Sequence, residues 1–178
     1  MPTFNTQTTG LWVLGLVLLI AMWKDMTQRK IPNALLLVAS AFALLWSTTA
    51  GGVGLASALV GGVVALLVFV VFYAIGAMGA GDVKLMATVG LFLGRADVMG
   101  LCITVLIAGG VQSLIWALWK ARLQEVLSST WQTLCQGMFS LAYGDVPGRL
   151  DRPTVHGSMP YALAIAAGTF AHLYGPTW

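Results

Sequence analysis

Two aspartates occupy unusual positions in a chain that is otherwise strongly apolar. Asp25 follows the first long apolar run, and Asp82 lies between two further apolar runs, behind glycines at positions 76, 79 and 81. An acid at the centre of a membrane helix costs about 2.5–3.5 kcal/mol on insertion scales, so acids at the ends of such runs require an explanation. The glycines remove side-chain bulk, so another backbone can approach Asp82 closely. We predict that Asp25 and Asp82 form one site, which the surrounding helices hold together.

Two neighbouring carboxyl groups can hydrolyse a peptide bond. Like charges at short range do not both ionise readily, so such a pair holds one proton between its two members. The ionised carboxylate can accept a proton from a water molecule as that water attacks the peptide carbonyl. The protonated carboxyl can donate to the carbonyl oxygen. This mechanism requires no metal, serine or histidine.

Less specific explanations exist for the same residues. Acids near helix ends are often interfacial charges, and the helix dipole would stabilise Asp82 at the N-terminal end of a helix. A proton- or cation-coupled transporter, in which the aspartates form a relay, is an alternative from another functional class. Transporters favour acids near the bilayer midplane and a repeated architecture. Here the acids lie towards helix ends and the chain shows no internal repeat, so hydrolysis is the preferred hypothesis.

The composition identifies the chain as an integral membrane protein. Hydrophobic residues make up 58% of its 178 residues and charged residues 8%, against about 25% charged residues in an average soluble domain. We expect one membrane-embedded domain over residues 1–178, without a sizeable soluble domain. The formal charge of +3 arises from basic residues at the ends of apolar runs, which indicates membrane orientation rather than nucleic-acid binding. The N-terminus lacks a basic region and a clear cleavage site, so the first run is expected to remain as an anchor.

The apolar runs predict an all-α bundle of six transmembrane helices. The expected helices are at about 9–23, 33–46, 54–75, 82–94, 98–119 and 159–174. Pro32 suits the first turn of the second helix. Small residues recur every four positions in the third run, at 54, 58 and 62 and at 57, 61 and 65, which predicts a close-packing face. Between helices five and six, residues 120–152 are predicted to include an amphipathic helix on the cytoplasmic membrane surface.

The distribution of basic residues predicts the orientation. If the chain crosses the membrane six times, Arg95 alone falls on one side, and the other eight of the nine basic residues fall on the opposite side. These eight are Lys24, Arg29, Lys30, Lys84, Lys120, Arg122, Arg149 and Arg152. Basic loops mark the cytoplasmic side. Both aspartates are therefore expected at cytoplasmic helix ends, with both chain termini outside.

The cysteines and histidines indicate neither a disulfide nor a metal site. Cys102 lies within an apolar run and Cys135 in the amphipathic segment, without a CxxC motif, so both are expected to be structural thiols. His156 follows a loop and His172 ends the last run, and neither has a third ligand near it in the sequence. We therefore expect no bound metal.

Three segments, in order along the chain, resemble those of one known family. Residues 25–33 are DMTQRKIPN, residues 79–85 are GAGDVKL, and residues 160–168 are PYALAIAAG. They resemble an aspartate followed by R-x-I-P-N, the G-x-G-D-x-K-L motif, and the P-Y-x-x-A-I-x-x-G start of a closing helix. This chain therefore resembles the type IV prepilin peptidases, the GxGD membrane aspartyl proteases that trim leader peptides from pilin precursors.

The resemblance implies that Asp25 and Asp82 are the catalytic pair, with no metal and no organic cofactor. The other motif positions that it implies at the site are Gly79, Gly81, Lys84, Arg29, Pro32 and Asn33. It implies a prepilin substrate inserted in the lipid bilayer and cut after its leader, at the cytoplasmic face of the bacterial inner membrane. A non-enzymatic pilus-assembly subunit is a further alternative. No oligomeric state is predicted.

One departure from the larger family members concerns a second activity. Those members have an N-terminal cytoplasmic domain with paired CxxC motifs and also methylate the new pilin N-terminus. No CxxC motif occurs among the 178 residues. The chain therefore resembles the short peptidases of Flp, or tight-adherence, pilus systems, and no methyltransferase activity is expected.

Overall fold

In a computed structural model, the chain is described over residues 6–75, 77–119 and 161–175, which contain helices and no strand. The helices are α1 (Thr6–Gln28), α2 (Asn33–Ser47), α3 (Leu55–Ala74), α4 (Ala80–Trp119) and α5 (Tyr161–Tyr174). The predicted all-helical fold is confirmed over these ranges, with α2 and α3 within one residue of their predicted bounds. The described ranges contain five helices where six were predicted. The amphipathic helix predicted within 120–152 lies outside the described residues, as do Cys135, His156 and residues 159–160 of the last predicted helix.

The difference in helix number arises at Gly94. The predicted helices 82–94 and 98–119 correspond to the two halves of α4, which meet at a kink where Gly94 has the non-helical angles φ 74° and ψ −174°. Residues 95–97, which separate the two predicted helices, are themselves helical. Glycine adopts positive φ without the steric cost that a Cβ imposes. Without this break, 40 residues would extend about 60 Å, roughly twice the hydrocarbon thickness of a bilayer.

α3 packs against the N-terminal half of α4 through glycines. A Cβ added to Gly90 would lie 2.5 Å from the Gly61 carbonyl oxygen, and one added to Gly94 would lie 2.6 Å from Ser57 Oγ. The two backbones are therefore in direct contact. Of the six small residues predicted to form a close-packing face, four are buried: Ala58, Gly61, Gly62 and Ala65. Ser57 is half-buried, and Gly54, which precedes the helix, is exposed.

α5 runs antiparallel to the C-terminal half of α4. Gly109 lies against the Tyr161 side chain at the start of α5, and Gly100 lies against the His172 ring near its end. A Cβ on Gly100 would come within 2.7 Å of that ring. Since residue numbers fall along α4 as they rise along α5, the start of α5 lies at the level of residue 109.

The helices bury apolar side chains between them and also expose apolar side chains outwards. Phe69, Met86 and Ile165, from three different helices, are fully buried. On α1, Trp12 and Trp23 are 74% and 70% exposed. α1, α3 and α4 contain apolar segments long enough to cross a membrane, whereas α2 and α5, with 15 and 14 residues, are shorter. Apolar outer faces on long apolar helices are those of a membrane protein.

Candidate active site

Asp25 lies in the last turn of α1. The predicted end of this helix at residue 23 is wrong, because α1 continues to Gln28. Residues 24–28 are polar except for Met26 and contain no glycine or proline, so the helix continues past the end of the apolar run. It ends at Arg29, which has a positive φ of 51° and donates its backbone N–H to the Asp25 carbonyl oxygen over 2.9 Å. The change of direction before Pro32 fits the restriction that proline places on the residue before it.

The Asp25 side chain is buried and hydrogen-bonded to another helix. It is 9% exposed, and its Oδ2 accepts a hydrogen bond from the backbone N–H of Ala162 over 3.2 Å. Ala162 is the second residue of α5. A buried carboxylate is costly without such a partner. The site therefore depends on how α5 docks against α1.

Asp82 is the third residue of α4 and folds back on the residue that precedes this helix. Its Oδ2 accepts the Gly79 backbone N–H over 3.3 Å, and its own N–H donates to the Gly79 carbonyl oxygen over 3.1 Å. This is the carboxylate half of a capping box, in which an acid at the third helical position reaches the capping residue. A Cβ on Gly79 would lie 3.1 Å from Oδ2. Glycine therefore leaves room for the carboxylate.

Gly81 brings the start of α4 against the segment that follows α1. A Cβ added there would lie 3.4 Å from Cβ of Ile31, which is an ordinary contact. Ile31 also packs against the apolar core. The 25–33 and 79–85 segments are therefore in contact, although they are far apart in the sequence.

The two aspartates lie close enough for their charges to interact. The phenol of Tyr161 lies within electrostatic range of Asp82 as well. α1 makes few direct contacts with α4 and more with α5. The carboxyl groups are thus brought together largely through α5, and not by broad packing of the first helix on the fourth.

Lys84 and Asn33 link the two motif segments. Lys84 Nζ donates to Asn33 Oδ1 over 3.1 Å, and both side chains are exposed. Pro32, with φ −63° and ψ 126°, precedes Asn33 as the cap of α2. Further along the same pair of helices, the Ser40 and Thr88 hydroxyls are 3.0 Å apart. Two polar contacts therefore hold α2 against the start of α4.

The remaining predicted positions do not form a metal site. Arg29 is exposed at the end of α1. Within the part of the chain that the structure describes, no group of three or more His, Cys, Asp or Glu side chains is placed to hold a metal ion. Cys102 is buried with a free thiol. The titratable groups that lie within electrostatic range of Asp82 include the Asp25 carboxyl and the Tyr161 phenol.

Sequence reasoning missed the backbone donor of Ala162. Every residue except proline has a backbone N–H, so the residue type at position 162 does not indicate a hydrogen-bond donor to Asp25. A weak signal was present, since Pro160 before an apolar run indicates a helix start, and the first N–H groups of a helix lack partners within it. The acceptor of those groups could not be identified without the packing of α5.

Residues 12–118 match the type IV leader peptidase family. The matched stretch covers more than half of the chain and contains both aspartates, the Asn33–Lys84 link and almost all of α4. It ends before α5. No curated protein and no solved structure matches the chain.

Proposed function

The chain belongs to the type IV leader peptidase family, and from this premise we propose that it is an aspartyl endopeptidase whose catalytic pair is Asp25 and Asp82. Membership supports cleavage of prepilin leader peptides in general. The observation that supports the aspartyl mechanism is that two carboxyl groups, from α1 and α4, lie within electrostatic range of each other.

The proposed reaction is a direct attack of water on the scissile carbonyl. One carboxylate takes a proton from the water as its oxygen bonds to the carbonyl carbon, and the protonated partner donates to the carbonyl oxygen. The product of this attack is a tetrahedral gem-diol, and its collapse breaks the C–N bond. The carboxyl that took the proton from water donates it to the departing nitrogen, and the other carboxylate recovers its proton from a hydroxyl of the gem-diol. The products are a leader with a new carboxylate and a pilin with a new N-terminus. The water molecule and the two carboxyl groups supply every proton that is transferred.

We propose that the chain crosses the membrane six times, which the position of Tyr161 supports. Tyr161 is in range of Asp82 and also contacts Gly109. In a straight helix, residues 82 and 109 would be about 40 Å apart. The chain reverses direction at Gly94, so residues 82 and 109 lie at a similar depth in the membrane. Two membrane crossings, one by each half of α4, would require this. With six crossings, eight of nine basic residues share the side of both aspartates, which we propose is the cytoplasmic side of the bacterial inner membrane.

Cysteine labelling in intact cells tests this orientation. In a chain with Cys102 and Cys135 replaced by serine, a cysteine in place of Arg95 is expected to react with a membrane-impermeant maleimide added outside. A cysteine in place of Lys30, which is also exposed, is expected to react only after the cells are lysed. Labelling of the Lys30→Cys variant from outside would contradict a cytoplasmic active site.

The proposed substrate is a Flp-type prepilin inserted in the membrane with its leader at the cytoplasmic face. The absence of CxxC motifs from the 178 residues supports this subtype. The test is incubation of the purified protein in detergent with a synthetic Flp-type prepilin, followed by mass spectrometry of the products. Cleavage at the leader junction is expected. An intact substrate, with a folded protein, would contradict the proposal.

Lys84 and Asn33 are proposed to position the two motif segments. Loss of one exposed hydrogen bond, through Lys84→Met or Asn33→Leu, is expected to lower kcat/KM about fivefold. The double variant is expected to be no worse than either single variant, because both remove the same contact. Asn33→Asp is the matched control, since a carboxylate accepts a charge-assisted bond from Lys84 and activity is expected to persist. Additive losses in the kcat/KM cycle would show that the two side chains act separately.

A further inference from the structure

The backbone N–H of Ala162 and the carboxylate of Asp25 each need a hydrogen-bond partner, and each is the partner of the other. The N–H belongs to the first turn of α5, where backbone donors have no acceptor within the helix. The carboxylate is buried, and Oδ2 accepts this N–H over 3.2 Å. Among the described residues, no buried side-chain nitrogen or oxygen lacks a hydrogen-bond partner. For Asp25 the partner of Oδ2 is the Ala162 N–H, and this bond holds Oδ2 in place.

The two carboxylates differ in where their backbone donors come from. Asp82 accepts from Gly79, three residues before it on the same segment. Asp25 accepts from a residue 137 positions further along the chain. Asp25 also lies near the C-terminal end of its own helix, whose carbonyl groups disfavour a negative charge. It therefore depends on a donor that another helix supplies.

The helical turn that contains the Ala162 N–H is buried among the neighbouring helices. The side chains of Ala162, Ala164 and Ile165 are 1%, 1% and 0% exposed. Tyr161 packs against Gly109 on α4 and lies in electrostatic range of Asp82. One turn of α5 thus contacts both helices that contribute an aspartate.

We infer that the backbone N–H of Ala162 positions the Asp25 carboxylate for catalysis, which makes the first turn of α5 a third part of the active site. This inference rests on the proposed function. It assigns a role to a helix that lies beyond residue 118, where the family match ends. The group acts through Asp25 and does not itself contact the substrate.

The test replaces the N–H without changing a side chain. Incorporating lactic acid at position 162 by nonsense suppression turns the amide into an ester and deletes the donor. We expect kcat for prepilin cleavage to fall about ten- to hundredfold, since a hydrogen bond to a charged group is lost. KM is expected to remain unchanged, whereas the thermal midpoint of unfolding is expected to fall, because the buried Asp25 carboxylate loses its partner. The value of kcat is therefore compared at a temperature at which both proteins stay folded. Ala162→Pro, a substitution that the first turn of a helix tolerates, should lower kcat in the same way.

Leu163 provides the matched control. It is the next residue of the same turn, its side chain is 41% exposed, and the bond to Asp25 does not involve its N–H. The ester at position 163 is expected to leave kcat unchanged. An unchanged kcat with the ester at 162, or equal losses at 162 and 163, would overturn the inference. Neither outcome would affect the proposed function, whose failure would appear as full activity without one of the aspartates.

Discussion

Asp25→Asn and Asp82→Asn are each expected to lower the rate of prepilin cleavage about a thousandfold or more. General acid or base catalysis by one group contributes about 10²–10⁴-fold, and each variant removes one half of a shared-proton pair. An amide has nearly the shape of a carboxyl but can neither accept the proton from water nor donate one to the carbonyl oxygen. The bundle is therefore expected to fold while the chemistry fails. The measurement is kcat/KM on purified protein, with thermal unfolding as the check on folding.

Asp97→Asn is the matched control for both variants. Asp97 is an exposed acid beyond the break at Gly94 in α4, so its replacement makes the same change of side chain on the helix that contains Asp82. Its cleavage rate is expected to equal that of the unmodified protein. Full processing by either the Asp25 or the Asp82 variant would contradict the aspartyl mechanism. If the protein were a transporter or a non-enzymatic assembly subunit, the unmodified protein would also fail to cleave prepilin.

The helices and the two aspartates could be predicted from local sequence properties. Apolar runs gave the bounds of α2 and α3 to within one residue, because proline at 32 and glycine at 54 mark their starts. The prediction that Asp25 and Asp82 share a site came from their placement at the ends of such runs. In the structure they lie within electrostatic range of each other, and their shared catalytic role remains a prediction.

Other features could not be predicted, because they depend on packing or on single dihedral angles. α1 continues past its apolar run to Gln28, so hydropathy alone misplaced its end. Residues 95–97 were expected to separate two helices, but they are helical and Gly94 alone has non-helical angles. The donor to Asp25 is the backbone of Ala162, which only the docking of α5 identifies. The periodic small residues did predict a helix contact, but not that its partner is Gly90.

Gly61→Ala is expected to destabilise the protein by about 1–3 kcal/mol in free energy of unfolding, as overpacking does in well-packed cores. A Cβ at this position would meet the Gly90 carbonyl oxygen and would lie 2.8 Å from the Gly94 Cα. These are backbone atoms, which cannot rotate away as a side chain can. α3 and α4 must therefore separate. Because Asp82 lies on the same half of α4, cleavage is expected to fall as well. The measurement is thermal unfolding in detergent, together with the cleavage rate.

Gly15→Ala separates this packing effect from the general effect of adding a methyl group to a helix. Gly15 lies within α1, and no atom lies within 4 Å of a Cβ built there. Since alanine favours helix over glycine, this variant is expected to be at least as stable as the unmodified protein. Gly90→Ala should resemble Gly61→Ala, because its Cβ would lie 2.5 Å from the Gly61 carbonyl oxygen. Their losses should not add, since either methyl group already separates the helices. Equal stability of the Gly61 and Gly15 variants would show that α3 and α4 do not pack through their backbones.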